Sequence, residues 1–214
     1  VPRQNRVTPF GELIACEARG TLMGNRGCLH DEHQRIRQPF ACRRWIICVL
    51  QFRGRQRTVM APNLYTELFF LDEATALAAG HRPCAECQHA RYGLFRDTWA
   101  TANPDRAASS PPSADAMDAV LHAERVGPRR EKVTVPARLA ELPAGSMVAD
   151  AEGRPFLVLP KALAPWQPGG YGPAVPRPEG DEFRVLTPRS VVRALAHGYP
   201  VAIDPSAACR GGRV

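Results

Sequence analysis

Cys84 and Cys87, in the run Pro83-Cys84-Ala85-Glu86-Cys87, have the spacing at which two thiolates reach one metal ion. The short turn between them folds back and points both sulfurs the same way. Pro83, with a fixed φ and no amide hydrogen, suits the entry to such a turn. A closed tetrahedral site needs two further ligands. Cys28 and His30, in Gly27-Cys28-Leu29-His30, are the preferred pair, because an irregular glycine-punctuated loop wraps an ion more easily than a strand does. Cys42 and Cys48 are the alternatives; Cys48 reads equally as a buried strand thiol and Cys42 as a surface residue among arginines. Zn2+ is the expected metal, since thiolate-rich tetrahedral sites favour it. The competing reading of Cys84 and Cys87, a redox couple, normally follows a strand in a βαβ pattern that this chain lacks.

Two other constellations bear on chemistry. Zinc-dependent nucleobase deaminases carry His-x-Glu and a later Pro-Cys-x-x-Cys, and this chain contains His122-Ala123-Glu124 as well as its cysteine pair. There the metal lowers the pKa of a bound water and the Glu moves protons. Here the order is reversed. His122 and Glu124 would also stand about 200° apart on one helix, from 3.6 residues per turn. The second constellation needs no metal: Asp118, His122 and Arg125 fall at i, i+4 and i+7, so Asp118 would orient His122 as a base and Arg125 would hold an anion. A solvated helix face with i, i+4 pairing explains the same stripe.

The elements that must position these residues are legible in outline. Trp45–Phe52 is a β-branched and aromatic run that reads as a buried strand, with Gly54-Arg55 as a turn and Thr58–Met60 as the returning strand of a hairpin. Residues 7–30 read as an irregular entry. A strand is expected at Thr66–Leu71, then a helix over Glu73–Ala79 capped by Asp72 and ended by Gly80. Further helices are expected over Cys87–Ala100, with Tyr92, Phe95 and Trp99 inward, and over Ala114–Arg125. Residues 103–113 read as a linker. Beyond residue 133 come short strands: a hairpin of Met147–Ala149 with Phe156–Leu159, a Gly/Pro-rich loop carrying Trp166 and Tyr171, and a strand at Phe183–Leu186. A last helix has Thr187 as N-cap and ends at Gly198. The fold class is α+β. An Arg-rich zinc module with an antiparallel hairpin and helices spans 1–105, a linker and amphipathic helix span 106–130, and a small β-rich domain spans 131–214.

Composition bounds the partners. No apolar run approaches the ~18 residues of a membrane span. The basic start Val1–Arg6 has no apolar stretch behind it, so no signal peptide is expected. Seven unevenly spaced cysteines point to metal binding or reactive thiols in a reducing cytoplasm. Residues 1–60 hold eleven Arg, no Lys and four acidic residues, net +7, which is the whole charge surplus of the chain. Such a lobe attracts phosphate backbones, and nucleic acid, DNA above all, is the expected partner. Arg35, Arg37, Arg43, Arg44, Arg53, Arg55 and Arg57 are the candidate contacts.

The stretch from Leu68-Phe69-Phe70-Leu71-Asp72 through an Ala-rich helix to Gly80-His81-Arg82-Pro83-Cys84-Ala85-Glu86-Cys87 resembles the metal-binding domain of Ada-type alkylated-DNA repair proteins. The resemblance covers about twenty residues and implies a zinc module near DNA, in repair or modification. In that family the other two ligands form a Cys-x-x-x-Cys pair that includes the methyl acceptor, and this chain has no such pair. Similar knuckles occur fused to nucleases. A scaffold whose zinc only fixes the fold is the remaining alternative.

Overall fold

The computed structural model describes residues 1–107, 109, 111–178 and 182–208. Cys209, the end of the expected 131–214 domain and two positions of the expected linker, Ala108 and Ser110, lie outside the described residues. Six strands form the first sheet: β1 (Gln4–Val7), β2 (Leu13–Ala15), β3 (Leu22–Asn25), β4 (Ile46–Cys48), β5 (Leu68–Phe70) and β6 (Arg82–Pro83), in the order β2-β1-β5-β3-β4-β6. The pairs β1–β5 and β4–β6 are parallel and the rest antiparallel. Helices α1 (Glu73–Ala78), α2 (His89–Ala102) and α3 (Ala114–Arg125) follow. The second sheet comprises β7 (Val135–Arg138), β8 (Met147–Ala149), β9 (Pro155–Val158), β10 (Ala162–Gln167), β11 (Gly170–Tyr171), β12 (Val175–Pro176) and β13 (Glu182–Val185), and α4 (Arg189–Ala196) closes it. Mixed helices and two sheets make an α+β protein.

Local chemistry explains the elements nearest the cysteines. Asp72 caps α1 by accepting from the Thr75 amide at 2.8 Å and from its hydroxyl at 2.7 Å. Gly80 stops the helix at φ +93°, and a Cβ there would stand 2.4 Å from the Arg125 side chain, so both backbone and packing require glycine. α3 begins where Ser113 accepts from the Ala116 amide. On α2 the expected inward set Tyr92, Phe95 and Trp99 is buried.

Three expectations are corrected. The stretch 7–30 is not irregular: β2 and β3 lie in it, both too short for a periodic signal, β2 paired locally with β1 and β3 held by β4 and β5, distant in sequence. The hairpin over 45–60 does not form. β4 ends at Cys48 because its neighbours are β3 and β6, and Thr58–Met60 returns as loop, with the Met60 amide donating to Glu67 Oε2 at 2.7 Å. The Phe52–Arg55 turn does exist, closed by Arg55 N–H to Phe52 C=O at 3.0 Å with positive φ at Arg53 and Gly54. At α4 the N-cap is Pro188, while the Thr187 hydroxyl instead accepts from the Met147 amide.

The apolar core joins the two halves of the chain. One cluster gathers Val7, Ile47 and Phe70 of the first sheet, Phe95 and Trp99 of α2, Leu121 of α3, and Val191 and Leu195 of α4. A second packs Leu71, Ala74 and Ala78 around α1 against Met147, Leu157, Ala164 and Trp166. Every residue of α1 is buried. Trp166 and Tyr171 anchor the β10–β11 turn to this helix through Thr75 Oγ1 at 3.0 Å and Asp72 Oδ2 at 2.8 Å. Asp72→Ala removes the helix cap and orphans the Tyr171 hydroxyl, so urea unfolding should show a loss of at least ~2 kcal/mol.

Candidate metal centre

Parallel pairing of β4 with β6 sets Ile47 opposite Pro83. The next residue in each case is a cysteine, Cys48 at the end of β4 and Cys84 just after β6, and the Cys84 amide donates to the Ile47 carbonyl at 2.9 Å. The following turn is held by Gln88 N–H to Cys84 C=O at 3.1 Å and by Gln88 Nε2 to Ile47 C=O at 2.8 Å. It swings Cys87 back, so the sulfurs of Cys48, Cys84 and Cys87 all lie within 4.8 Å of one another. Sulfurs sharing a tetrahedral ion at Zn–S distances of ~2.3 Å sit about 3.8 Å apart, so closing on an ion requires movements of no more than about 1 Å. The group is close enough to bind a metal ion. Among the described residues no fourth His, Cys, Asp or Glu joins it.

Its electrostatics suit a cation. The Cys84 thiol is pushed below its ordinary value, first by the neighbouring Cys48 thiol, with the Cys87 and Glu86 amides aiding and burial opposing. The Glu86 amide stands 3.4 Å from Cys84 Sγ. Cys48 is pushed up in turn, first by the neighbouring Cys84 sulfur and then by burial, and Cys87 is raised by burial. A metal ion binding the three sulfurs would displace their protons. Met23, Ile46 and Phe69 wall the trio.

The expected third and fourth ligands are elsewhere. Cys28 is half-buried, its thiol 3.7 Å from the His30 carbonyl. The His30 ring lies between Thr66 Oγ1 at 2.6 Å and the Ala61 carbonyl at 3.2 Å, and so anchors the 61–66 loop. Cys42 is exposed. Cys48, the alternative taken for an ordinary strand thiol, is the one that joins the pair. The parallel β4–β6 register decides this, and it leaves no local trace in sequence.

The candidate catalytic stripe is dispersed by burial. Asp118 takes Arg82 in a bidentate pair, Nε at 3.0 Å and Nη2 at 2.7 Å, with both side chains almost fully buried, and does not orient His122. Arg125 is also buried and donates to the Gly80 and Arg43 carbonyls. This face of α3 is therefore not solvated. His122 packs edge-on to Phe40 at 5.3 Å, and Glu124 accepts from the Ser190 amide and hydroxyl in the first turn of α4. Neither residue joins the cysteines.

Of the candidate phosphate contacts, Arg35, Arg37, Arg43, Arg44, Arg53 and Arg55 are exposed and Arg57 is half-buried. Arg37 pairs with Asp31, Arg44 with Asp115, and Arg55 with Glu86 inside the cysteine turn. Arg53, Arg55 and Arg57 line a cleft of about 610 Å³ with Phe52, and its inner wall is Met23 and Phe69, the residues that pack on the cysteines. Sequence reasoning missed the fully buried arginines Arg6, Arg26, Arg82 and Arg125, which composition counts as surface charge. No helix of the described residues is long and apolar enough to cross a membrane. Comparison with protein-family models, curated proteins and solved structures gave no match.

His81, which precedes β6 and the cysteine turn, is completely buried, with Arg26 Nε donating to its Nε2 at 3.1 Å. Burial first, then the charges of Arg26 and Arg125, hold its pKa well below the usual 6.5. The folded state thus keeps the imidazole neutral, while the unfolded chain takes up a proton below about pH 6.5. Stability from this residue is complete above that pH and falls as pH drops toward the depressed folded value, by up to about 1.4 kcal/mol per pH unit. Urea titrations from pH 8 to 5 should show this loss, with the His81 ring resonances staying neutral throughout. A protonated His81 in the folded chain at pH 6 would contradict it.

Proposed function

We propose that this chain is a zinc protein that binds nucleic acid, with Zn2+ held by Cys48, Cys84 and Cys87 and phosphates received by Arg53, Arg55 and Arg57. The observation that carries this reading is the shared wall. Met23 and Phe69 bound both the three-cysteine group and the arginine cleft, and Arg55 reaches Glu86 between two of the ligands. A metal there would fix the turn that Arg55 leans on, coupling the centre to the basic loop. Three soft thiolates favour zinc over harder-ligand metals. The local resemblance to Ada-type proteins supports DNA as the nucleic acid, and repair or modification as its setting. The permuted deaminase draws no support from the geometry, because Glu124 caps a helix.

Elemental mass spectrometry of the purified chain should find about one zinc, lost in Cys48→Ser and Cys84→Ser and kept in Cys28→Ser, His30→Ala and His122→Ala. Retention of zinc by Cys48→Ser would refute the three-cysteine centre. Fluorescence anisotropy with duplex and single-stranded DNA should give an affinity that falls with salt. Replacing Arg53, Arg55 and Arg57 by Ala should flatten the log–log salt slope by about 2–3, near 0.7–0.9 per lost contact. Zinc binding with no salt-dependent DNA affinity would leave the structural scaffold as the answer.

A further inference from the structure

A second concentration of charge lies apart from the cysteines, where the turn after α3 folds back over Trp45. Arg26, Trp45 and Arg125 are buried at its floor, Lys132 is half-buried at its side, and Arg130 and Glu131 are exposed at its mouth. The guanidinium carbons of Arg26 and Arg125 each stand 4.0 Å from the Trp45 ring centroid, and Arg130 lies over Phe40 at 5.3 Å.

Among the described residues, Arg26, Arg125, Arg130 and Lys132 form no ion pair with a carboxylate. Arg26 donates to His81 Nε2 and to the Gly11 carbonyl at 2.8 Å, Arg125 to the Gly80 and Arg43 carbonyls, and Lys132 to the Ala78 carbonyl. Two buried donors, Arg26 Nη2 and Arg125 Nε, have no partner among the described residues. Asp118 is taken up by Arg82, and Glu131 Oε2 accepts from the Arg129 amide at 2.8 Å. Burying charge without a counter-charge is costly, and carbonyl dipoles offset only part of it. Burial above all, and then the charges of Arg26 and Arg125, push Lys132 down to about 7.

We propose that this chamber is an oxyanion site, built for a phosphate group bound between Arg26, Arg125, Lys132 and Arg130. Its volume, about 50 Å³, is several times the ~10–15 Å³ that holds one water, which suits a compact tetrahedral anion and excludes a nucleoside. Guanidinium donors match phosphate oxygens in charge and geometry. Free phosphate and a terminal phosphate on a nucleic acid strand share this chemistry. The site does not depend on zinc or on the Arg53–Arg57 cleft.

Isothermal titration of the intact chain with inorganic phosphate, together with arginine side-chain 15Nε spectra, tests it. One phosphate per chain should bind with Kd of about 1 mM or tighter, and the Arg125 Nε resonance should shift on binding. Arg130→Ala, at the exposed mouth, should weaken binding at least tenfold with an unchanged Tm for the phosphate-free chain, whereas Arg53→Ala should leave it unaltered. A 5′-phosphorylated trinucleotide that displaces phosphate, where its 5′-hydroxyl counterpart does not, would make a strand end the natural source. Displacement by neither would make it free phosphate. No heat and no Arg125 shift at about 20 mM, roughly twenty times the upper Kd, would overturn the site, as would phosphate binding that Arg130→Ala leaves intact.

Discussion

Two adjacent buried carboxylates, Asp72 and Glu73, hold this protein together. A carboxylate away from water is tolerable only if its lone pairs are taken. Asp72 accepts from Thr75, from the Tyr171 hydroxyl and from the Asp204 amide. Glu73 accepts from Arg91, from the Tyr199 hydroxyl at 2.6 Å and from the Ala202 amide at 2.8 Å. These donors come from α2, from the second sheet and from the segment after α4, so the second half of the chain must wrap the start of α1. A short helix of six residues, unstable alone, is thereby fixed in place.

The cysteine group inherits that fixed position. Four residues after the end of α1 the chain has passed Gly80 and reached β6, where Arg82 is locked to Asp118 and Pro83 lies against Ile47. A buried ion pair adds little net stability, because desolvation offsets its attraction, yet removing one partner leaves a costly orphan charge. Arg82–Asp118 thus acts as a registration pin between α3 and β6. Cys84 can meet Cys48 only in this register.

Arginine has two roles in this protein. Four guanidiniums are buried and bind chiefly carbonyls, a carboxylate or an imidazole, where the flat, weakly hydrated fork costs less to desolvate than a lysine ammonium. Arg53 and Arg55 extend from a tight turn into solvent beside the three-cysteine group. The basic surplus of residues 1–60 is therefore partly internal, and the outward share is concentrated on loops.

Elements specified by adjacent residues were legible in the sequence. The Asp72 cap, the Gly80 stop, α3 over Ala114–Arg125 and the β8–β9 hairpin each depend on propensities and turn chemistry within a few positions. The Cys84/Cys87 pair was legible for the same reason, since its spacing is its geometry. Cys48 was not, because the pairing that brings it 36 positions across the chain to Cys84 depends on which strands neighbour β4. The same holds for Asp118 and Arg125, whose polar types read as solvated until tertiary packing buried them against Arg82 and Trp45. Sequence fixes what a residue prefers from its near neighbours. Partner choice between distant strands, and the burial of charge that follows, is decided only when the whole core closes.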